Sequence, residues 1–129
     1  MSFKSSDNRS FKNVLVVDDE PMIRDIFSQF LGESGYDVQS ANSNDEAKLF
    51  INQESFDLIL LDVHMKGIPF SEFLTFLKST TTEIAQIPVI AVTGVPNLIS
   101  KQHLHFLAGI LEKPFTPFEM INYIETVLN

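Results

Sequence analysis

Short apolar runs alternate with longer amphipathic stretches along almost the whole chain. Runs this short, rich in valine, isoleucine and leucine, are typical of strands that are buried on both faces of a sheet. The pattern predicts strands at residues 13–17, 36–41, 58–61, 88–92 and 109–111. Because a stretch with helical spacing follows each of them, the sequence predicts a parallel sheet with helices on both faces.

The amphipathic stretches place apolar residues at the spacing of one helix face. Ile23 and Phe27 lie four residues apart after the first predicted strand, on the side that should face the sheet. Thr116 and Glu119 fit a capping box that opens the last helix, and Phe118 is predicted to point into the core. Each predicted strand is therefore followed by one helix.

These elements predict a single α/β domain over residues 13–129, with a five-stranded parallel sheet flanked by five helices. The fourth helix, over residues 98–106, has the least regular spacing. Right-handed crossovers favour the strand order 2-1-3-4-5 of flavodoxin-like folds, in which ligands bind beyond the carboxyl ends of the strands. Residues 1–12 are polar and lack periodicity, so we expect a flexible leader there.

The composition excludes several classes of protein. The formal net charge of −8 argues against a nucleic-acid-binding surface and against docking on anionic membranes. The chain has no cysteine, which excludes thiolate metal sites and a cysteine nucleophile. No apolar run is long enough to span a bilayer, and the first residues lack the apolar centre of a signal peptide. We therefore expect a cytoplasmic location.

Acidic residues follow the first and third predicted strands, which are neighbours in the expected order. Asp18 and Asp19 follow the first strand and Asp62 follows the third, so their carboxylates should converge. Two carboxylates about 5 Å apart repel each other by roughly 3 kcal/mol at an effective dielectric constant near 20. An oxygen-only cluster of this kind favours Mg²⁺ as the cation that relieves the repulsion.

Two further polar residues follow the fourth and fifth predicted strands. Thr93 offers a hydroxyl group and Lys113 an ammonium group at the same edge of the sheet. Together with a metal ion, these groups describe a pocket for a phosphoryl group, because phosphoryl transfer depends mainly on position and electrostatics. Asp62 is then the candidate nucleophile, which would form an aspartyl phosphate.

Four motifs stand in register with the strand ends, namely VLVVDDE, LILLDVHM, AVTG and EKPF. In this order they resemble the receiver domain of two-component response regulators, over nearly the whole chain. The resemblance implies that Asp62 takes a phosphoryl group from a histidine kinase or a histidine phosphotransfer protein. It also implies that the chain catalyses only its own phosphorylation and dephosphorylation, and so is not an enzyme with an external substrate.

The resemblance assigns roles to the remaining residues of the pocket. It makes Asp19 a direct Mg²⁺ ligand, Asp18 an acid that reaches the ion through water, and His64 a ligand through its backbone carbonyl. Thr93 becomes the switch hydroxyl that contacts the phosphoryl group. Lys113 becomes the lysine that pairs with it, and the Lys113–Pro114 peptide bond is predicted to be cis.

The sequence departs from the family pattern at three places. Ile110 stands at the switch position where the family usually has an aromatic residue, which leaves the coupling to Thr93 open. Lys66 replaces the usual proline and adds a positive charge near the mouth of the pocket. His64 and Val95 occupy positions that modulate the rate of dephosphorylation in the family, and the sequence leaves open whether they raise or lower it here.

Three functions compete at this point. The leading one is a binding module that phosphorylation controls through the face formed by helix 4, strand 5 and helix 5, with an unidentified output protein. The alternative is a receiver-like docking module with weak or vestigial phosphorylation. A phosphatase of the haloacid-dehalogenase type is disfavoured, because those enzymes space their two acids two residues apart whereas Asp18 and Asp19 are adjacent. The resemblance adds a homodimer as a further alternative, since receiver domains often dimerise through the same face.

Overall fold

Five parallel strands form the sheet of this protein, in the order β2-β1-β3-β4-β5. The computed structural model describes residues 12–65 and 67–129, so that residues 1–11 of the predicted leader and Lys66 lie outside the described residues. The strands are β1 Asn13–Val17, β2 Asp37–Ala41, β3 Leu58–Asp62, β4 Val89–Thr93 and β5 Gly109–Glu112. Their bounds agree with the predicted ones to within a residue, and the predicted parallel sheet and strand order are confirmed.

Six α-helices flank the sheet in the described part of the chain, one more than predicted. They are α1 Pro21–Glu33, α2 Asn44–Gln53, α3 Phe70–Ser79, α4 Thr82–Ala85, α5 Lys101–Leu104 and α6 Pro117–Leu128. The additional helix is α4, a single turn that begins because the Thr81 hydroxyl accepts a hydrogen bond from the Ile84 N–H. No helix among the described residues combines the length and apolar character needed to cross a membrane.

The predicted fourth helix is interrupted. A 3₁₀ turn, Pro96–Leu98, is separated from α5 by Ile99, whose backbone is extended. Ser100 then caps α5 by accepting a hydrogen bond from the His103 N–H. The predicted face of helix 4, strand 5 and helix 5 therefore corresponds to α5, β5 and α6.

Alternate residues of the strands enter two separate cores. In β1, Leu15 and Val17 pack with α2 and α3 on one side, whereas Val14 and Val16 pack with α1 and α6 on the other. The sheet is thus covered on both faces, as its continuous apolar strands predicted. Phe118 contradicts its prediction, since it is 74% exposed near the start of α6.

Gly109 leaves the space that a tyrosine of α6 fills at the edge of the sheet. Tyr123 Oη accepts a hydrogen bond of 2.9 Å from the Ile110 N–H on edge strand β5. A Cβ atom on residue 109 would overlap this hydroxyl oxygen and lie 3.0 Å from Tyr123 Cζ. The close approach explains why a glycine stands at this position.

We expect Gly109→Ala to lower the free energy of unfolding by about 1–3 kcal/mol, because the new methyl group displaces the Tyr123 ring. Adding Tyr123→Phe should recover part of that loss, since it deletes the overlapping oxygen. Urea unfolding of both variants measures this. Gly94→Ala is the matched control, because its Cβ would meet no atom within 4 Å. Equal losses in Gly109→Ala and Gly94→Ala would contradict the explanation.

Candidate functional site

Polar side chains from four strands meet at the carboxyl edge of the sheet. Asp18 directly follows β1, and Asp62 is the last residue of the neighbouring strand β3. Thr93 ends β4, and Lys113 directly follows β5. Lys113 Nζ lies 3.9 Å from Asp18 Oδ2 and 3.8 Å from Asp62 Oδ1. The structure therefore brings together the residues that the strand ends predicted.

Asp18, Asp19 and Asp62 form an acidic cluster in this pocket. Each offers a carboxylate oxygen, and these oxygens all lie within 4.8 Å of one another. Asp18 and Asp62 are buried, and Asp19 is half-buried. Three carboxylates at this separation repel one another, and the single ammonium group of Lys113 balances only part of their charge.

Asp18 has the least favourable environment of the cluster. Its Oδ1 accepts a hydrogen bond of 2.9 Å from the Glu20 N–H, whereas its Oδ2 is buried without a hydrogen-bond partner among the described residues. Burial raises the pKa of Asp18 from its ordinary value of 3.8 to about 6, and repulsion by Asp62 adds to the rise. A buried carboxylate oxygen without a donor, beside two other carboxylates, fits a hard divalent cation.

Asp62 and Thr93 are both fastened by the segment that follows β3. Asp62 Oδ1 accepts a hydrogen bond of 3.2 Å from the His64 backbone N–H. The His64 ring reaches further, and its Nε2 lies 3.1 Å from Thr93 Oγ1. That oxygen also accepts a hydrogen bond of 3.0 Å from the Val95 N–H. The resemblance assigned the carbonyl of His64 to the metal, a role that stays a prediction, and the contact of the ring with Thr93 was not predicted.

The backbone around Lys113 contains the cis peptide bond that was predicted. The Lys113–Pro114 peptide bond is cis, and the Lys113 N–H donates a hydrogen bond of 2.8 Å to the Thr93 carbonyl. Ile110 lies outside this group of contacts, because the β4–β5 register pairs it with Ala91. The structure thus places the candidate switch residues Thr93 and Ile110 on neighbouring strands without joining them by a hydrogen bond among the described residues.

Two side chains that sequence reasoning missed fasten the loops of the pocket. Arg24 Nη1 donates a hydrogen bond of 2.8 Å to the Asp18 carbonyl and so ties α1 to the end of β1. Asn44 is buried at the start of α2, and its Nδ2 donates to the Ile68 carbonyl in the segment between β3 and α3. No sequence motif marks either residue, since each acts on a backbone carbonyl that only the fold brings near.

The chain matches a known protein family over most of its length. The family model described as response regulator receiver domain matches residues 14–125. Among curated proteins, the transcriptional regulatory protein AruR of Pseudomonas aeruginosa is 27% identical over 127 residues, which cover 89% of this chain and 48% of that protein. The CAI-1 autoinducer sensor kinase/phosphatase CqsS of Vibrio cholerae is 31% identical over 87 residues, 67% of this chain and 13% of that protein. The chain thus spans about half or less of the length of these relatives.

Solved structures share the fold closely. The chemotaxis response regulator CheY4 of Vibrio cholerae superposes with a TM-score of 0.83 at 29% identity, covering 92% of this chain and 99% of that one. A CheY-like response regulator receiver domain protein from Methanospirillum hungatei gives a TM-score of 0.79 at 27% identity, with 92% and 94% of the two chains covered. The five-stranded fold therefore belongs to a known architecture.

Proposed function

The chain belongs to the response regulator receiver family of two-component systems, and from this membership we propose that phosphorylation of Asp62 controls its binding to a partner. One observation carries the proposal, namely that the Asp62 carboxylate belongs to the acidic cluster and lies 3.8 Å from the ammonium group of Lys113. An aspartate in this setting is suited to accept a phosphoryl group, because Lys113 and a cation on the acidic cluster would balance the negative charge of the incoming oxygens.

The proposed reaction is phosphoryl transfer from a phosphohistidine. Asp62 Oδ1 is engaged by the His64 N–H and by Lys113, so Oδ2 is the oxygen that attacks. An O–P bond forms as the P–N bond of the phosphohistidine breaks. The electron pair of that bond passes to the imidazole nitrogen of the donor, which takes up a proton. The donor would be a histidine kinase or a histidine phosphotransfer protein.

Two groups of the chain would then stabilise the charge on the phosphoryl oxygens. The ammonium group of Lys113 already lies within 4 Å of two carboxylates of the pocket, and it would pair with an oxygen of the phosphoryl group. The Thr93 hydroxyl would donate a hydrogen bond to another. Charge stabilisation and positioning are the main requirements of phosphoryl transfer, so no further catalytic group is needed.

We propose Mg²⁺ as the cation of the acidic cluster. The carboxylates of Asp18, Asp19 and Asp62 would hold it together with the backbone carbonyl of His64. The buried and unpartnered Oδ2 of Asp18 and the absence of cysteine support a hard ion. When bound, Mg²⁺ would neutralise charge on the transferring phosphoryl group.

The output of the domain is proposed to be contact with another protein through α5, β5 and α6. Leu98, Leu104 and Phe106, on and beside α5, are 71%, 40% and 42% exposed, which favours an apolar contact there. We propose that the chain acts on no external substrate and that it works in the cytoplasm. A homodimer would use the same face.

Incubation with acetyl phosphate, in Mg²⁺ or in EDTA, tests the function by intact mass. We expect a gain of one phosphoryl group in Mg²⁺. The phosphorylated fraction should be about tenfold smaller in EDTA, because no cation then offsets the repulsion among the carboxylates of the cluster. No gain in either solution, together with unchanged NMR spectra on adding beryllofluoride, would contradict the proposal. That result would favour the docking module with vestigial phosphorylation.

A further inference from the structure

The imidazole of His64 contacts a hydroxyl group that the proposed phosphoryl chemistry needs. Thr93 is fully buried, and its Oγ1 contacts the Val95 N–H and His64 Nε2. The Val95 donor belongs to the backbone of the turn that follows β4. The His64 ring belongs to an exposed residue, and it can therefore leave with less change to the fold than the Val95 backbone can.

A phosphoryl oxygen on Asp62 has to come within hydrogen-bond distance of Thr93 Oγ1 if this hydroxyl is to bind it. Thr93 is fully buried, and the His64 ring already occupies a hydrogen-bond contact of its Oγ1, so the ring obstructs an oxygen that would bind this hydroxyl. This obstruction is independent of the tautomer, because the ring occupies the contact whether Nε2 donates or accepts.

We propose that His64 is a positioning residue whose ring latches Thr93 in the unphosphorylated domain and must leave before the phosphoryl group is fully bound. The inference rests on the proposed function and adds its regulation. Because the latch favours the unphosphorylated arrangement, it weakens binding of the phosphoryl group. The expected size is what one hydrogen bond contributes, about two- to tenfold in affinity.

The first test measures the affinity for beryllofluoride, a mimic of the phosphoryl group, by NMR titration in excess Mg²⁺. His64→Ala should bind it about two- to tenfold more tightly than wild type. His64→Gln should stay near wild type, since its side-chain amide can reach the Thr93 hydroxyl in place of Nε2. His105→Ala, which removes another exposed imidazole, is the matched control and should leave the affinity unchanged.

A spectroscopic signature separates the latch from a purely structural role. The ¹⁵N resonance of His64 Nε2 should shift when beryllofluoride binds, because the contact with Thr93 is lost. Equal or weaker binding by His64→Ala, or a resonance that stays in place, would overturn the latch while leaving the proposed function intact. A wild-type protein that fails to bind beryllofluoride in Mg²⁺ would instead overturn the proposed function, and the latch with it.

Discussion

Asp62→Asn should gain no phosphoryl group from acetyl phosphate under conditions in which the wild-type protein gains one. The substitution replaces the attacking carboxylate oxygen with an amide, which is a far weaker nucleophile. It keeps the size of the side chain, and an amide oxygen can still accept the hydrogen bond from the His64 N–H. The loss should therefore be chemical rather than a consequence of unfolding.

Asp25→Asn is the matched control for this experiment. Asp25 is an exposed aspartate on α1, outside the acidic cluster, and its variant should be labelled like the wild type. Urea unfolding of Asp62→Asn should show a fold at least as stable as the wild type without Mg²⁺, because one of three repelling charges is gone. Labelling of Asp62→Asn at the wild-type rate would place the acceptor elsewhere and contradict the proposed function.

The positions of the pocket residues could be predicted because they follow from topology. Asp18, Asp62, Thr93 and Lys113 each stand at a strand end, and parallel strands bring their carboxyl ends to one edge of the sheet. Buried parallel strands are also easy to predict from a sequence, since both of their faces have to be apolar. The fold class and the convergence of the pocket were therefore accessible from the pattern alone.

Contacts between a side chain and a distant backbone group were not accessible in the same way. The bond from Asn44 to the Ile68 carbonyl depends on how two loops approach each other, which no local spacing encodes. The contact between the His64 ring and Thr93 depends on a rotamer and on a loop. A motif specifies the residue types at strand ends, but it does not specify which of their side chains contact one another.

The error at Phe118 has a similar origin. The capping box of Thr116 and Glu119 fixes the first turn of α6, as predicted. The core then takes Met120 and Ile124, which share one face of the helix and are fully buried, whereas Phe118 faces outward. The apolar residues of α6 allow a buried face that includes Phe118 or one that includes Met120. The packing of α6 against α1 and the sheet buries the second.

The acidic cluster that the proposed function needs lowers the stability of the folded protein, and Asp18→Asn should show by how much. Without Mg²⁺ and near neutral pH, we expect the variant to be more stable than the wild type by about 1–3 kcal/mol. The reason is that the folded protein holds an ionised Asp18 in a buried, repulsive site, which raises its pKa to about 6. The variant removes this charge and keeps an oxygen for the Glu20 N–H.

The sign of the pH dependence follows from the same shift. The pKa of Asp18 in the folded protein, about 6, lies above its ordinary value of 3.8, so its ionisation lowers the stability of the wild type as the pH rises between these values. The difference between wild type and variant should therefore be small below pH about 4, grow towards pH about 6 and stay constant above it. Urea unfolding in EDTA across this range measures the difference, and Asp25→Asn is the control.

Saturating Mg²⁺ should reverse the order of stability. A ligand that binds only the folded protein adds about 4.1 kcal/mol at a thousand times its dissociation constant, which exceeds the expected advantage of the variant. The wild type should gain this stabilisation, whereas Asp18→Asn should lose most of it together with its affinity for Mg²⁺. Equal Mg²⁺-dependent stabilisation of both proteins would remove Asp18 from the proposed cation site. A variant that is less stable than the wild type in EDTA near neutral pH would contradict the unfavourable burial of its charge.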